Sequence, residues 1–287
     1  MSPSSTDTSA QALMHDFSLE MTGKDVDAVR EAAPLLPQGT RINVTFLGNE
    51  DLDMRVTAAK AVKDLGFVPV PHISARRIES EAELKEFLQA LADVDAAKHV
   101  FAVGGDPAEP MGPYGSALEM IESGVFPEFG VEEVSIAGYP EGHQHMADDD
   151  FLRETQHKLS ALTEQNLSSG IITQFGFDID PVAAWLNDLA AKDITAPVRI
   201  GVPGPAGIRR LLKFAKRFGV GASAGVALKY GFSLTNLIGT AGPDKFLNEL
   251  ASTTQETNFQ GDVSVHFYTF GGITNTAEWA KDFTENL

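Results

Sequence analysis

The chain has 287 residues, 43% hydrophobic and 22% charged, with no cysteine and a formal net charge of −18. The lack of cysteine excludes disulfides, thiolate metal sites and a cysteine nucleophile, and the acidic field opposes nucleic acid or an anionic membrane as partner. No apolar run approaches the ~20 residues that cross a bilayer, and residues 1–15 carry neither the basic nor the apolar part of a signal peptide, so a cytoplasmic, single-domain protein is expected.

Residues 1–12, rich in Ser, Thr, Ala and Gln, read as a disordered lead-in, and residues 13–287 as one catalytic domain. The first β-like runs are FSLEM (17–21) and INVTF (42–46), followed by a helix over Leu52–Leu65 with Leu52, Val56, Ala59 and Val62 on one face. VPVPHIS (68–74) leads to a helix over Glu81–Leu91, where Leu84, Phe87, Leu88 and Leu91 share a face and Ser80 is the N-cap. HVFAVGG (99–105) and VSIAGY (134–139) precede a long polar helix, Phe151–Leu167, with Asp148–Asp150 at its N-terminus, where carboxylates complement the helix dipole. GIITQFGF (170–177) leads to a helix over Pro181–Ala191, with Asp180 as cap and Pro181 as first helical residue. VRIGVPG (198–204), helices over Ile208–Phe218 and Asp244–Ser252, and VSVHFYTF (263–270) complete the series.

Most strands are apolar on both parities, as in a parallel sheet packed on both faces. Eight alternating units make an α/β protein, a (β/α)8 or TIM barrel, whose active site is built where the strands end. The polar residues at those ends are Glu20, Thr45, His72, Asp106, Tyr139, Gln174 and Tyr268. Glu20 is the sole acid in an apolar strand; desolvated there it could serve as a general acid, or it could pair with Lys24 or Arg41. Asp106 follows Gly104-Gly105, which lets backbone approach a ligand, and could equally cap a turn. Gln174 lies in an apolar run, where an unpartnered amide is costly, so it should meet a ligand or a network.

Other constellations fail on spacing. His143, His145 and Asp148–Asp150 offer metal-ligand types without a third ligand at a recognisable interval, so no metal is expected. Gly219–Gly225 superficially suggests a dinucleotide loop, but it follows a helix rather than a strand. No P-loop and no Gly-x-Ser-x-Gly elbow is present.

Taken in order, the motifs resemble those of the methylenetetrahydrofolate reductase family, flavin-dependent barrel enzymes. They are the Glu20 strand, Val44-Thr45-Phe46, Pro71-His72, Gly105-Asp106-Pro107, Tyr114-Gly115-Ser116, Ala137 to His143, Ile172 to Phe175 with Phe177-Asp178, and His266 to Thr269. The resemblance implies a cytoplasmic flavoprotein oxidoreductase of one-carbon metabolism and methionine biosynthesis, with FAD as cofactor and a tetrahydrofolate derivative as substrate. It places the catalytic acid on Glu20, and FAD contacts on Thr45, Phe46, His72, Gly104, Gly105, Asp106, Gly115, Tyr139 and His143. Lys158 becomes a phosphate contact, and Asp106, Gln174, Phe214 and Tyr268 become substrate contacts, Asp106 also tuning the flavin in catalysis.

This chain departs from the family's pattern in several places. Met21-Thr-Gly23 replaces Phe-Pro-Pro, Gly104 stands where arginine is usual, Arg210 replaces a glutamine, and Gly271-Gly272 replaces an Asn-Arg pair. The last two changes fall where relatives hold substrate or nicotinamide nucleotide. They put NAD(P)H as electron donor in question and leave room for a different electron-transfer partner. The alternatives are a family member that oxidises methyltetrahydrofolate without NADH, or a non-catalytic flavin- or folate-binding barrel. Apolar positions on the outer helices suit barrel packing or a homo-oligomer equally.

Overall fold

The computed structural model describes residues 10–143, 147–218 and 240–287. Eight parallel strands close into a barrel: β1 (Ser18–Met21), β2 (Arg41–Val44), β3 (Val68–Ser74), β4 (His99–Val103), β5 (Glu133–Gly138), β6 (Ser168–Phe175), β7 (Val198–Pro203) and β10 (Val263–Tyr268), with β10 hydrogen-bonded to both β7 and β1. A two-stranded antiparallel ladder, β8 (Ala206–Gly207) with β9 (Thr240–Ala241), lies outside the barrel. The expected (β/α)8 barrel is the observed one.

Strand parity divides the side chains into two layers. Leu19, Met21, Ile42, Val44 and Ile73 are buried in the large core between barrel and helices. Residues of the other parity, including Val70, Phe101 and Ile172, form a smaller cluster inside the barrel with Val103 and Ala137. Branched and aromatic residues suit such strands because they pack densely on a pleated surface.

Besides the short helices α2 (Val26–Ala32) and α5 (Ala117–Glu122), the helices α3 (Leu52–Asp64), α4 (Glu81–Asp93), α6 (Asp148–Glu164), α7 (Ile179–Ala191) and α8 (Ile208–Phe218) fall close to their expected positions. Ser80 caps α4 by accepting from the Glu83 N–H at 3.1 Å, a contact worth ~1 kcal/mol that Ser80→Ala would remove. On α7 the cap moves two residues upstream: Asp178, not Asp180, accepts from the Asp180 N–H, and Pro181 sits inside the first turn. Proline is tolerated there because its missing N–H would have no helical partner.

A further helix, α1 (Ala10–Met14), begins within the stretch read as a disordered lead-in. Ala10, Leu13 and Met14 bury against the barrel core, so apolar contact orders this segment despite its polar setting. Residues 1–9 lie outside the described residues, as do His145 and Gly219–Gly225. Among the described residues no helix is long and apolar enough to cross a membrane, and no group of three or more His, Asp or Glu side chains is arranged to hold a metal ion.

Candidate active site

The C-terminal mouth of the barrel collects most of the predicted residues, and parity explains which neighbours join them. Ser18 and Glu20 on β1, Asn43 on β2 with Thr45 just past its end, His72 and Ser74 on β3, and His266 and Tyr268 on β10 are paired two residues apart, so each pair projects to the same side. Ser18 and His266 are register partners across the β1–β10 seam. The His266 ring is fully buried, its Nδ1 lying 2.8 Å from Ser18 Oγ and its Nε2 4.0 Å from Glu20 Oε2.

Glu20 keeps one-fifth of its side chain exposed. Among the described residues no lysine or arginine reaches ion-pair distance of it, and Arg41 is engaged by Glu133 instead. Its backbone carbonyl accepts from Thr269 Oγ1 at 2.6 Å, which ties the ends of β1 and β10 together. Opposite stands His72, whose Nε2 is 3.2 Å from Asn43 Nδ2 and whose ring meets Phe101 edge-on at 4.7 Å. Burial, opposed by nearby Glu20 and aided by His266, lowers His72 to about 4, so it is a neutral imidazole at physiological pH. Tyr268 donates to the Thr173 carbonyl at 3.0 Å. Burial first, then Glu20, pushes its phenol well above the usual range, so it too stays protonated.

Several buried polar atoms here have no partner among the described residues: Asn43 Oδ1, Thr45 Oγ1, Ser74 Oγ and His266 Nε2. Leaving such groups unpaired costs ~1–3 kcal/mol each, so finding these four at neighbouring strand positions points to a ligand or water completing them. Gly105 borders Ser74 with φ of 98°, and a Cβ there would collide with Ser74 Oγ. A side chain at this position would therefore be both strained and in the way.

The other predicted residues spread around the rim. Asp106 is largely exposed and holds Arg77, which donates through Nε at 2.8 Å and through its terminal nitrogen at 2.6 Å. Gly115 N–H donates to Glu119. Tyr139 meets His143 and Phe151 edge-on at 4.7 and 5.0 Å. Lys158 is buried, 2.5 Å from Glu154 and 5.7 Å from the Phe151 ring. Phe46 does not face this mouth: it packs against Phe87 in the outer layer and carries the Arg55 guanidinium 3.6 Å above its ring.

Gln174 lies at a register irregularity between Ile172 and Phe175, where its side-chain oxygen accepts from the Phe175 N–H at 3.1 Å. Phe214 stacks on Phe270 with centroids 4.0 Å apart, and Arg210 donates to the Phe270 carbonyl. A Cβ on Gly271 would run into the Pro205 carbonyl, so this glycine lets the loop after β10 lie directly on the loop after β7. Asn43, Ser74, Ser18 and His266 gain their place only in the structure. Their signal in the sequence was the alternate position next to a strand-end residue already singled out.

The sequence profile of the methylenetetrahydrofolate reductase family matches residues 18–225, most of the chain and all strands from β1 to β7. This protein belongs to the methylenetetrahydrofolate reductase family. A curated relative, the 5,10-methylenetetrahydrofolate reductase of Pectobacterium carotovorum subsp. carotovorum, is 26% identical over 179 residues, 61% of this chain and 57% of that protein. The matched stretch thus spans less than two thirds of the relative. Among solved structures, an uncharacterized protein from Clostridium thermocellum, described as binding two copies of 5-methyl-5,6,7,8-tetrahydrofolic acid, superposes with a TM-score of 0.66 at 14% identity, covering 95% of this chain and 96% of that one. That likeness is one of fold.

Proposed function

We propose that this family member is a cytoplasmic flavin-dependent oxidoreductase interconverting 5,10-methylenetetrahydrofolate and 5-methyltetrahydrofolate, with Glu20 as general acid. The observation that carries the proposal is a carboxyl group at the end of a barrel strand with no cationic partner among the described residues, facing neutral polar groups. The methylene bridge becomes electrophilic only when its ring opens, and opening needs a proton on the departing nitrogen. Glu20 delivers that proton: its O–H bond breaks, the nitrogen gains the hydrogen, and the C–N electron pair leaves with the nitrogen. Tyr268 and neutral His72 line the same mouth and can orient a pterin by hydrogen bonding without adding charge.

The residues fit FAD best at its ring end. Thr45 Oγ1 and Ser74 Oγ are unpartnered hydroxyls beside the cradle at Gly105, where a Cβ would intrude. At the phosphate end Lys158 supplies a buried cation, now held by Glu154, which a diphosphate would have to displace. Tyr139, His143 and Gly115 complete the proposed contacts, and Asp106 would orient both ligands from the rim. A bound flavin supplies the hydride that the opened bridge receives.

The family match supports the reaction class, and the folate-binding protein of like fold supports a tetrahydrofolate ligand. The experiment is an absorbance spectrum of the purified protein followed by anaerobic turnover of 5,10-methylenetetrahydrofolate. A flavin spectrum and methyltetrahydrofolate formation are expected; a colourless protein that turns the folate over without added flavin would overturn the FAD assignment. A second reading, oxidation of methyltetrahydrofolate with an electron partner other than NAD(P)H, is favoured by the loops after β7 and β10. Arg210 and Phe214, on α8 beyond the β7 loop, are engaged with Phe270 in the loop after β10. Rapid flavin bleaching by NADH would rule it out.

A further inference from the structure

We infer that His266, fixed by Ser18, is a positioning residue for Glu20, placed to donate a hydrogen bond from Nε2 to the carboxylate that Glu20 becomes when it gives up its proton. The inference rests on the reading of Glu20 as general acid and adds a partner to it.

The geometry leaves the imidazole little freedom. His266 is fully buried on β10, hydrogen-bonded through Nδ1 to Ser18 on β1 and edge-on to the Tyr268 ring at 5.0 Å. Ser18 is itself fully buried, and its hydroxyl has no other partner among the described residues. A serine hydroxyl donating to Nδ1 leaves the ring hydrogen on Nε2. That nitrogen is the one without a partner, and Glu20 Oε2 lies 4.0 Å away.

The separation is too long for a hydrogen bond to a neutral carboxylic acid, yet short enough to close when the carboxyl becomes charged. A donor that gains its bond only as charge develops stabilises the transition state more than the ground state. The other titratable groups facing Glu20 and His266 are neutral His72 on β3 and protonated Tyr268 on β10. Neither supplies a countercharge to the carboxylate. The proton Glu20 loses can return from solvent, because the side chain is one-fifth exposed.

The test compares His266→Phe, His266→Gln and Ser18→Ala with the parent enzyme, with Glu20→Gln measured in parallel. Turnover of 5,10-methylenetetrahydrofolate is followed across pH. His266→Phe should lower kcat on the order of 10- to 100-fold with KM little changed. It should also move the alkaline fall of kcat to higher pH, because a carboxylate without its donor holds its proton longer. His266→Gln, which keeps an N–H near the Nε2 position, should recover much of the rate, and Ser18→Ala should fall between. A merely structural histidine would lower kcat equally at every pH and leave the midpoint in place, and that outcome overturns the inference. If His266→Phe does not fold, the midpoints of the other two variants decide. Full turnover by Glu20→Gln would overturn the acid assignment itself and this inference with it. A dead Glu20→Gln beside an unshifted His266 series would overturn the inference alone.

Discussion

At the N-terminal mouth of the barrel Arg41 meets Glu133 and Arg199 meets Asp16, with His99 Nδ1 left over, whereas at the C-terminal mouth Asn43, Thr45, Ser74 and His266 each keep a buried polar atom with no partner among the described residues. The N-terminal mouth also holds a cavity of about 790 Å³, lined by these same charged pairs together with Gln11 and His15. Where guanidinium and carboxylate answer each other, the charges serve the fold. Where donors and acceptors are left over, the fold carries a cost that a ligand can offset. On the proposed function this division follows the general barrel rule, with stability at the bottom and reaction at the top.

The largest stability effect should come from acid, acting on the upper mouth. His72 sits at about 4 against an ordinary 6.5. Above 6.5 neither the folded nor the unfolded state holds this proton. As pH falls from 6.5 to about 4 the unfolded chain takes it up first, so folding stability declines by about 3 kcal/mol across that window. Denaturant midpoints measured from pH 7 to 4.5 should show the decline, and His72→Gln should flatten it. An unchanged slope in the variant would mean that His72 is not buried neutral.

The lower mouth should respond in a different window. Burial would raise Glu133, but the nearby His99 ring, 3.6 Å away, and the hydrogen-bonded Arg41 guanidinium outweigh it and hold the group at about 2. Both states are ionised above 4.5, and the stability this pair adds is lost as pH falls from there towards 2. Glu133→Gln should destabilise the fold by ~1–2 kcal/mol, less than a fully buried pair because solvent still screens it. Its folate KM should stay that of the parent. A large change in KM with normal stability would break the division between the two mouths.

The smallest effect should appear at Ser74. Removing a hydroxyl that lacks a partner should leave stability unchanged or raise it by up to ~1 kcal/mol, while weakening flavin binding about tenfold (one lost hydrogen bond). Thermal unfolding with and without added flavin separates the two. Loss of stability in the flavin-free protein would show that Ser74 serves the fold instead.

How much of this was legible in the sequence depended on how local the cause is. Strand ends such as Glu20, His72 and Tyr268 stood out because a polar residue interrupts Val- and Ile-rich runs whose period is set by the backbone. Their partners Ser18, Asn43, Ser74 and His266 share the same parity, but their role depends on contacts between strands far apart in sequence. Ser18 and His266 are 248 positions apart, and Arg41 and Glu133 are 92 apart. No periodicity reports such a pairing. Phe46 shows the opposite case: as the residue after Thr45 it has the other parity, and its ring packs outward, under Arg55. The lead-in hid α1 because composition alone does not show that Leu13 and Met14 reach the core. At Gln174 a register irregularity, invisible in the residue pattern, turns the amide back onto its own strand.

The most direct test is the turnover of 5,10-methylenetetrahydrofolate by Glu20→Gln under the conditions that support the parent enzyme. Glutamine keeps the shape and a hydrogen-bonding capacity but cannot give up a proton in this pH range. The expected result is a fall in kcat on the order of 10²- to 10⁴-fold with thermal stability and folate binding retained. Turnover equal to that of the parent would contradict the assignment of the upper mouth as a proton-delivering site.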